Sequence, residues 1–244
     1  IRDLRMSRGL GDVYKRQELN TMNKMSVRSI YADPSRPATN SYTPADWTFG
    51  LRTNYLANFN VNLYTGIKTT TDALFDYRTL IAYDGVLSRD VISFFAMDAY
   101  AWKVGFDINY KYKDRVKAQI NWAHNEWHYR HGKGKIRTAL PVNEWNLGLD
   151  VNATKHLAFD LDIYLANGRE YRNAIETDMK PDADFFSFGK MKNIFNVNLG
   201  ATYRFNDSVH LLVQANNIFA QHYNLYYGMP AQRFNIMAGV GVCF

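Results

Sequence analysis

Arg233-Phe234-Asn235-Ile236-Met237-Ala238-Gly239-Val240-Gly241-Val242-Cys243-Phe244 is the stretch whose reading decides the fold. Taken two residues at a time, one face is Phe234, Ile236, Ala238, Val240, Val242 and Phe244. The other is Arg233, Asn235, Met237, Gly239, Gly241 and Cys243. Successive side chains on a strand point to opposite sides, so this run has one apolar face and one small or polar face. It is long enough to cross a bilayer as a tilted strand, which takes roughly 9–11 residues. An ordinary amphipathic strand at the end of a water-soluble sheet has the same alternation, so the rest of the chain has to decide.

The same pattern recurs upstream. Trp47, Phe49, Leu51 and Tyr55 share one face, with Thr48, Gly50, Arg52 and Asn54 opposite. After a tight connection near Ala57, Phe59, Val61, Leu63 and Ile67 alternate with Asn60, Asn62, Tyr64 and Gly66. Lys68 to Ala99 reads as a long loop, with apolar patches such as Val91 to Met97 forming local structure within it. A second hairpin starts near Tyr100: Trp102, Val104, Phe106, Ile108, Tyr110 and Tyr112, a turn at Lys113-Asp114, then Val116, Ala118, Ile120 and Trp122. Asn125 to Asn143 reads as a loop. The third hairpin sets Trp145, Leu147, Leu149 and Val151 against Leu157, Phe159, Leu161, Ile163 and Leu165, turning at Asn152 to Lys155. Asn167 to Asn193 reads as a polar loop. The fourth runs from Phe195 to Phe205, turns at Asn206-Asp207-Ser208 and returns from Val209 to Ala215; Ile218 to Gln232 is the last loop. Asp33 to Pro44, with three prolines, reads as a loop, and Leu19 to Tyr31 as a weaker tenth strand.

The fold class expected is all-β: an antiparallel transmembrane β-barrel of about 9–10 strands belonging to a larger barrel. Tight periplasmic turns alternate with long extracellular loops. Aromatics gather at both strand ends, with Trp47, Trp102, Trp122 and Trp145 towards the loops and Tyr55, Tyr112, Phe205 and Phe244 towards the turns, as interfacial girdles do. A soluble barrel or sandwich would turn the same apolar residues inward. Against that, the polar face is Gly, Asn and Thr with mixed charges, not the Lys- and Glu-rich surface that keeps soluble sheets apart. The apolar face also carries more large rings than a small closed barrel can hold.

Composition agrees. The chain has 244 residues, and no apolar run approaches the roughly 18 that a spanning helix needs. Cys243 is the single cysteine, so no internal disulfide forms. The formal net charge is +6. Half of it lies in residues 1–17, through Arg2, Arg5, Arg8, Lys15 and Arg16 against Asp3 and Asp12. Within that segment Gly9 to Gln17 resembles a translated sequencing adapter. Residues 1–17 are therefore expected to be non-native and 18–244 to be the barrel portion. With the segment set aside, little basic excess remains to suggest a nucleic-acid partner.

The most specific stretch is the end. Asn216-Asn217-Ile218-Phe219, then Tyr223, then Gly228-Met229-Pro230-Ala231-Gln232-Arg233-Phe234, resemble the close of TonB-dependent outer-membrane receptors. The resemblance implies the C-terminal part of a 22-stranded barrel whose plug and TonB-contacting region lie further upstream. It implies a bacterial outer-membrane location and active uptake of a siderophore, cobalamin, haem or glycan. It also implies partners: TonB, the barrel assembly machinery and lipopolysaccharide. In that setting Phe244 is the assembly signal. A small porin or structural barrel is the alternative, and a soluble ligand-binding β-barrel a more distant one.

Candidate site residues follow from the faces. Arg52, Asp107, Asp150, Asp160, Asp162, Arg204 and Arg233 are expected to face the lumen. Arg130, His131, Lys133, Lys135 and Arg137 form a basic loop suited to an anionic ligand or lipopolysaccharide phosphates. His124, His128 and His131 beside Trp127 have the residue types for a metal or haem edge, but read here as interfacial, solvated histidines. Asp160 and Asp162 lack a positioned nucleophile or substrate, so no catalytic role is assigned. Gly132-Lys133-Gly134-Lys135 has no strand–helix context and is no phosphate loop. No cofactor and no enzymatic activity are expected.

Overall fold

The computed structural model describes residues 42–53, 58–83, 86–177, 187–206 and 208–242. The adapter-like segment, the weaker strand Leu19 to Tyr31, the connection near Ala57, Asp207, Cys243 and Phe244 lie outside the described residues.

The strands are β1 (Tyr42–Thr53), β2 (Phe59–Tyr83), β3 (Val86–Tyr112), β4 (Val116–Tyr129), β5 (Asn143–Asn152), β6 (Leu157–Asn167), β7 (Glu170–Thr177), β8 (Ser187–Lys190), β9 (Ile194–Arg204), β10 (Val209–Asn216), β11 (Asn224–Tyr226), β12 (Met229–Pro230) and β13 (Asn235–Val242). Nine of them form one antiparallel ladder in the order β1-β2-β3-β4-β5-β6-β9-β10-β13. These are the nine strands the alternation predicts. No helix occurs among the described residues.

Register carries one face intact across the sheet. Leu63 stands opposite Phe106, Phe106 opposite Trp122, Trp122 opposite Trp145, Trp145 opposite Leu165 and Leu165 opposite Phe195. The next row along the strands, one residue away, is Asn62, Asp107, Asn121, Asn146, Tyr164 and Asn196. A one-residue slip at any junction would move every side chain to the other face, so the match fixes all these registers at once. The apolar face is open: Trp47, Phe49 and Leu51 are 65%, 68% and 77% exposed. Water gives no reason to display such a surface, whereas acyl chains do.

The tight ends are built as the sequence suggests. Lys113 takes a left-handed φ of 49° in the β3–β4 turn, and the Arg115 amide donates to the Tyr112 carbonyl at 3.2 Å. Asn206 Oδ1 accepts from the amides of Ser208 and Val209 at 3.0 and 2.8 Å, an Asx turn into β10.

The loop end corrects several expectations. Lys68 to Ala99 is not a loop. β2 and β3 continue through it as a paired hairpin to Tyr83 opposite Val86. A bulge interrupts the pairing between Thr70 and Ala73, where Asp72 adopts φ 50° and its amide donates to Asp98 Oδ1 at 3.2 Å. An extra residue reverses the facing of everything beyond it. Even-numbered β2 residues lie on the polar face up to Thr70, whereas beyond the bulge Ala73 and Phe75 lie there. That switch brings Ala73 and Phe75 to the side of Ala99, Ala101 and Trp127, where they form a buried cluster with Ile136. Phe75 meets Trp127 edge-on at 5.6 Å between ring centres.

β4 runs on to Tyr129, so the loop expected from Asn125 begins only at residue 130. The Asn167–Asn193 segment contains β7 and β8. β7 pairs in parallel with the distal half of β2, from Arg78–Asn173 to Ala82–Thr177, and β8 pairs with β7. The last loop holds the short β11–β12 ribbon. At the ends of the sheet, β1 starts at Tyr42, inside the expected proline-rich loop, and β13 at Asn235, so Arg233 precedes the closing strand.

Candidate functional site: the polar face and its loop-bound mouth

The polar face is a close-packed surface of cross-strand pairs in which a glycine stands opposite a large polar side chain. Tyr64 lies over Gly105, Gln119 over Gly148, Asp160 over Gly200 and His210 over Gly241. A Cβ at Gly148 would stand 2.7 Å from Gln119 Nε2, which no ordinary packing allows. The glycines therefore let long polar side chains lie flat across the neighbouring strand.

Six of the seven expected lumen residues share this face by register. Asp107 accepts from Asn62 Nδ2 at 3.0 Å, and Arg52 Nε donates to Asn60 Oδ1 at 3.4 Å. Asp150 stands opposite both Lys117 and Asp160. Asp162 stands opposite Gly148 and Asn198. Arg204 stands opposite His210, and its carbonyl accepts from His156 Nδ1–H at 2.9 Å. Arg233 is exposed just before β13, where its carbonyl accepts from Asn235 Nδ2 at 3.4 Å. Lys103, not anticipated, crosses Gly66 on this face to pair with Asp46.

The basic loop divides. Arg130, His131, Lys133 and Lys135 lie at an exposed tip, with the Tyr129 amide donating to the Gly134 carbonyl at 3.5 Å. His131 Nε2 comes within 3.5 Å of Asp98. Arg137 is engaged elsewhere: its Nε lies 3.4 Å from Glu170 Oε2, and its guanidinium lies 4.3 Å above the Phe188 ring. The three histidines do not converge. His124 Nδ1 lies 2.8 Å from Asn143 Oδ1, His128 stacks on Tyr100 at 5.1 Å, and His131 sits in the tip. Among the described residues no cluster of ligating side chains of metal-site size occurs.

Two residues hold the mouth together: Arg169, which sequence reasoning did not single out, and Asn217 of the closing motif. Gly168 leaves β6 at φ 74° and places Arg169 in the interior, 3% exposed. Arg169 Nε donates to the Ala139 carbonyl at 2.8 Å, and the guanidinium also donates to the Leu225 carbonyl. The Met191 amide donates to the Arg169 carbonyl at 2.9 Å. One residue thus joins the loops that follow β4, β6, β8 and β10. The sequence signal was Asn167-Gly168, a turn dipeptide placed where the strand ends.

Asn217 does the same for the last loop. It is 2% exposed, at φ 49°, a left-handed conformation that Asn tolerates. Its amide donates to Asn198 Oδ1 at 3.0 Å; its Nδ2 donates to the carbonyls of Gln221 and Gln232 at 3.0 and 3.3 Å; its Oδ1 accepts from the Gln221 amide at 3.0 Å. Gln221 in turn accepts from the Phe195 amide at 2.6 Å. This network is the physical content of the Asn216-Asn217-Ile218-Phe219 step: the second Asn folds the outgoing chain back over β9. Phe219 then stacks on Phe195 at 5.4 Å on the apolar side.

No protein-family model matches the chain, and no curated protein matches it. Solved structures do. The siderophore receptor PirA from Acinetobacter baumannii superposes with a TM-score of 0.60 at 11% identity over 82% of this chain and 31% of that one. The pyoverdine outer membrane receptor FpvA from Pseudomonas aeruginosa PAO1 does so with 0.58 at 16% identity, over 82% and 29%. The copper transporter OprC gives 0.57 at 13% identity, over 80% and 30%. The chain spans under a third of the length of each. At these identities the likeness is one of fold: part of an outer-membrane β-barrel.

Proposed function

We propose that the chain is the C-terminal barrel portion of a TonB-dependent receptor of the bacterial outer membrane, taking up a small-molecule or glycan ligand through contacts at its external loops. The observation that carries this reading is the unbroken register of one apolar and one polar face over nine antiparallel strands, with loops clasped over one end. In this reading the apolar face meets lipid and the polar face lines a lumen. Closure of the barrel takes further strands beyond β1 and β13. TonB acts through a region outside this chain, the barrel assembly machinery inserts the protein, and lipopolysaccharide surrounds the loop end. The role is transport; a copper transporter, OprC, and the receptors for pyoverdine and a siderophore, FpvA and PirA, share the fold and support that. Siderophore, cobalamin, haem and glycan are the ligand classes to test.

The test is uptake by the full-length gene product in a host stripped of its own receptors. Ferric siderophores, cobalamin, haem and oligosaccharides are supplied in turn, with and without tonB. Accumulation of one class that vanishes without tonB is the expected result. Permeation of small solutes regardless of tonB would instead establish a porin.

A further inference from the structure

We infer that the cavity of about 220 Å3 between the end of β8 and the loop after β10 is an oxyanion site for a ring-sized ligand. The inference rests on the receptor reading only in placing this cavity at an external mouth. Two extended segments build it in the same way. Lys190, Met191 and Lys192 run exposed, buried, exposed; His222, Tyr223 and Asn224 run exposed, buried, half-buried. In extended backbone residues i and i+2 point to one side. The buried middle residue of each segment anchors it, and the flanking pairs, Lys190 with Lys192 and His222 with Asn224, line the opening. Tyr223 is held from below, packed with Ala166 and Ile194, its hydroxyl accepting from Asn196 Nδ2 at 3.4 Å. Met191 is held through its amide on Arg169.

Among the described residues the lining is cationic without an acid: two ammonium groups, an imidazole and an amide, with no Asp or Glu. Among the described residues neither lysine forms an ion pair. Glu170, which stands opposite Lys190, turns its carboxylate to Arg137. Lysine ammoniums act as point charges for phosphate-like anions. Beside them Tyr227, stacked on Tyr171 at 4.0 Å between centres, adds a rigid aromatic wall, and Tyr223 and Met191 add an apolar floor. The volume equals about seven waters at roughly 30 Å3 each, which suits a sugar-sized ring bearing one phosphate or carboxylate better than a bare ion. That chemistry has two sources: a diffusible phosphorylated or acidic sugar, and the phosphorylated sugar headgroup of lipopolysaccharide.

The experiment uses the full-length protein in detergent, with glucose 6-phosphate, inorganic phosphate and glucose titrated calorimetrically. Glucose 6-phosphate is expected to bind at least tenfold more tightly than glucose, and Lys190→Gln/Lys192→Gln to lose at least tenfold of that affinity. Both lysines are exposed, and retained heat-modifiability shows that the variant folds. In the second arm the protein is extracted mildly and its bound lipopolysaccharide phosphate assayed. Co-purification lost in the double variant identifies the headgroup as occupant. Glucose binding as tight as glucose 6-phosphate, or an unchanged double variant in both arms, overturns the site. Because binding is read without TonB, a receptor with tonB-dependent uptake and no site here would sink this inference alone. A phosphate site without such uptake would sink only the receptor reading.

Discussion

Asp160 lies across Gly200, its carboxylate filling the space where a Cβ would project from the neighbouring strand. Gly239, on the same face of β13, has nothing within 4 Å of the same position. Two glycines of one face therefore differ in what an added methyl meets. Gly200→Ala forces the Asp160 side chain off its position and is expected to destabilise the barrel by about 1–3 kcal/mol, as overpacking does. Gly239→Ala meets no side chain on the β10 side of β13 and is expected to cost less than Gly200→Ala. Urea unfolding of the full-length barrel in lipid measures both. Equal effects would mean that Asp160 moves aside freely.

Face assignment has its own test on β4. Ile120 stands between Ile108 and Leu147 on the apolar face, and Asn121 between Asp107 and Asn146 on the polar one. Ile120→Arg is expected to cost about 2–4 kcal/mol if the residue lies near the bilayer midplane, and Asn121→Arg much less. The same unfolding assay ranks them, and the reverse order would turn the barrel inside out. Val197, on the apolar face of β9, makes a poorer probe. It is 5% exposed, with the Ile218 amide on its carbonyl, so Arg there would also disturb the last loop.

What the sequence makes legible and what it hides have separate causes. The nine barrel strands are readable because each keeps a single parity over its barrel stretch, β2 as far as Thr70, and lipid on one side demands it. The distal hairpin of β2 and β3 is hidden by the bulge at Asp72, which reverses parity in mid-strand and makes a continuous strand look like a pattern breaking down. At the mouth, the motif around Asn217 stands out as a resemblance, but its work depends on Asn198, Gln221 and Gln232, whose convergence no local pattern encodes. Arg169 reads as one more charge in a polar loop, because burial of a guanidinium against carbonyls of other loops is purely tertiary.

The bulge can be tested by its consequence. Phe75→Ala removes the ring that meets Trp127 and is expected to leave a cavity in the cluster that roots the hairpin, a loss of about 3–5 kcal/mol of local stability. Limited proteolysis should then cut the distal hairpin faster while the barrel band stays heat-modifiable. Loss of the barrel itself would show that the hairpin is part of the transmembrane fold and not an extension of it.

Asn217 separates backbone conformation from hydrogen bonding. Asn217→Gly keeps the left-handed φ but loses three side-chain bonds; Asn217→Ala loses the bonds and also strains the backbone. Each lost bond is worth about 0.5–1.5 kcal/mol, and the left-handed conformation adds roughly 1 kcal/mol for Ala. Both variants are expected to loosen the loop between β10 and β13, with Ala the worse. Hydrogen exchange at the Gln221 amide, which donates to Asn217 Oδ1 in the native loop, reads this directly. Native protection of that amide in Asn217→Gly would show that the loop is held by Phe219 on Phe195 and by the Gln221 side chain, not by the buried asparagine.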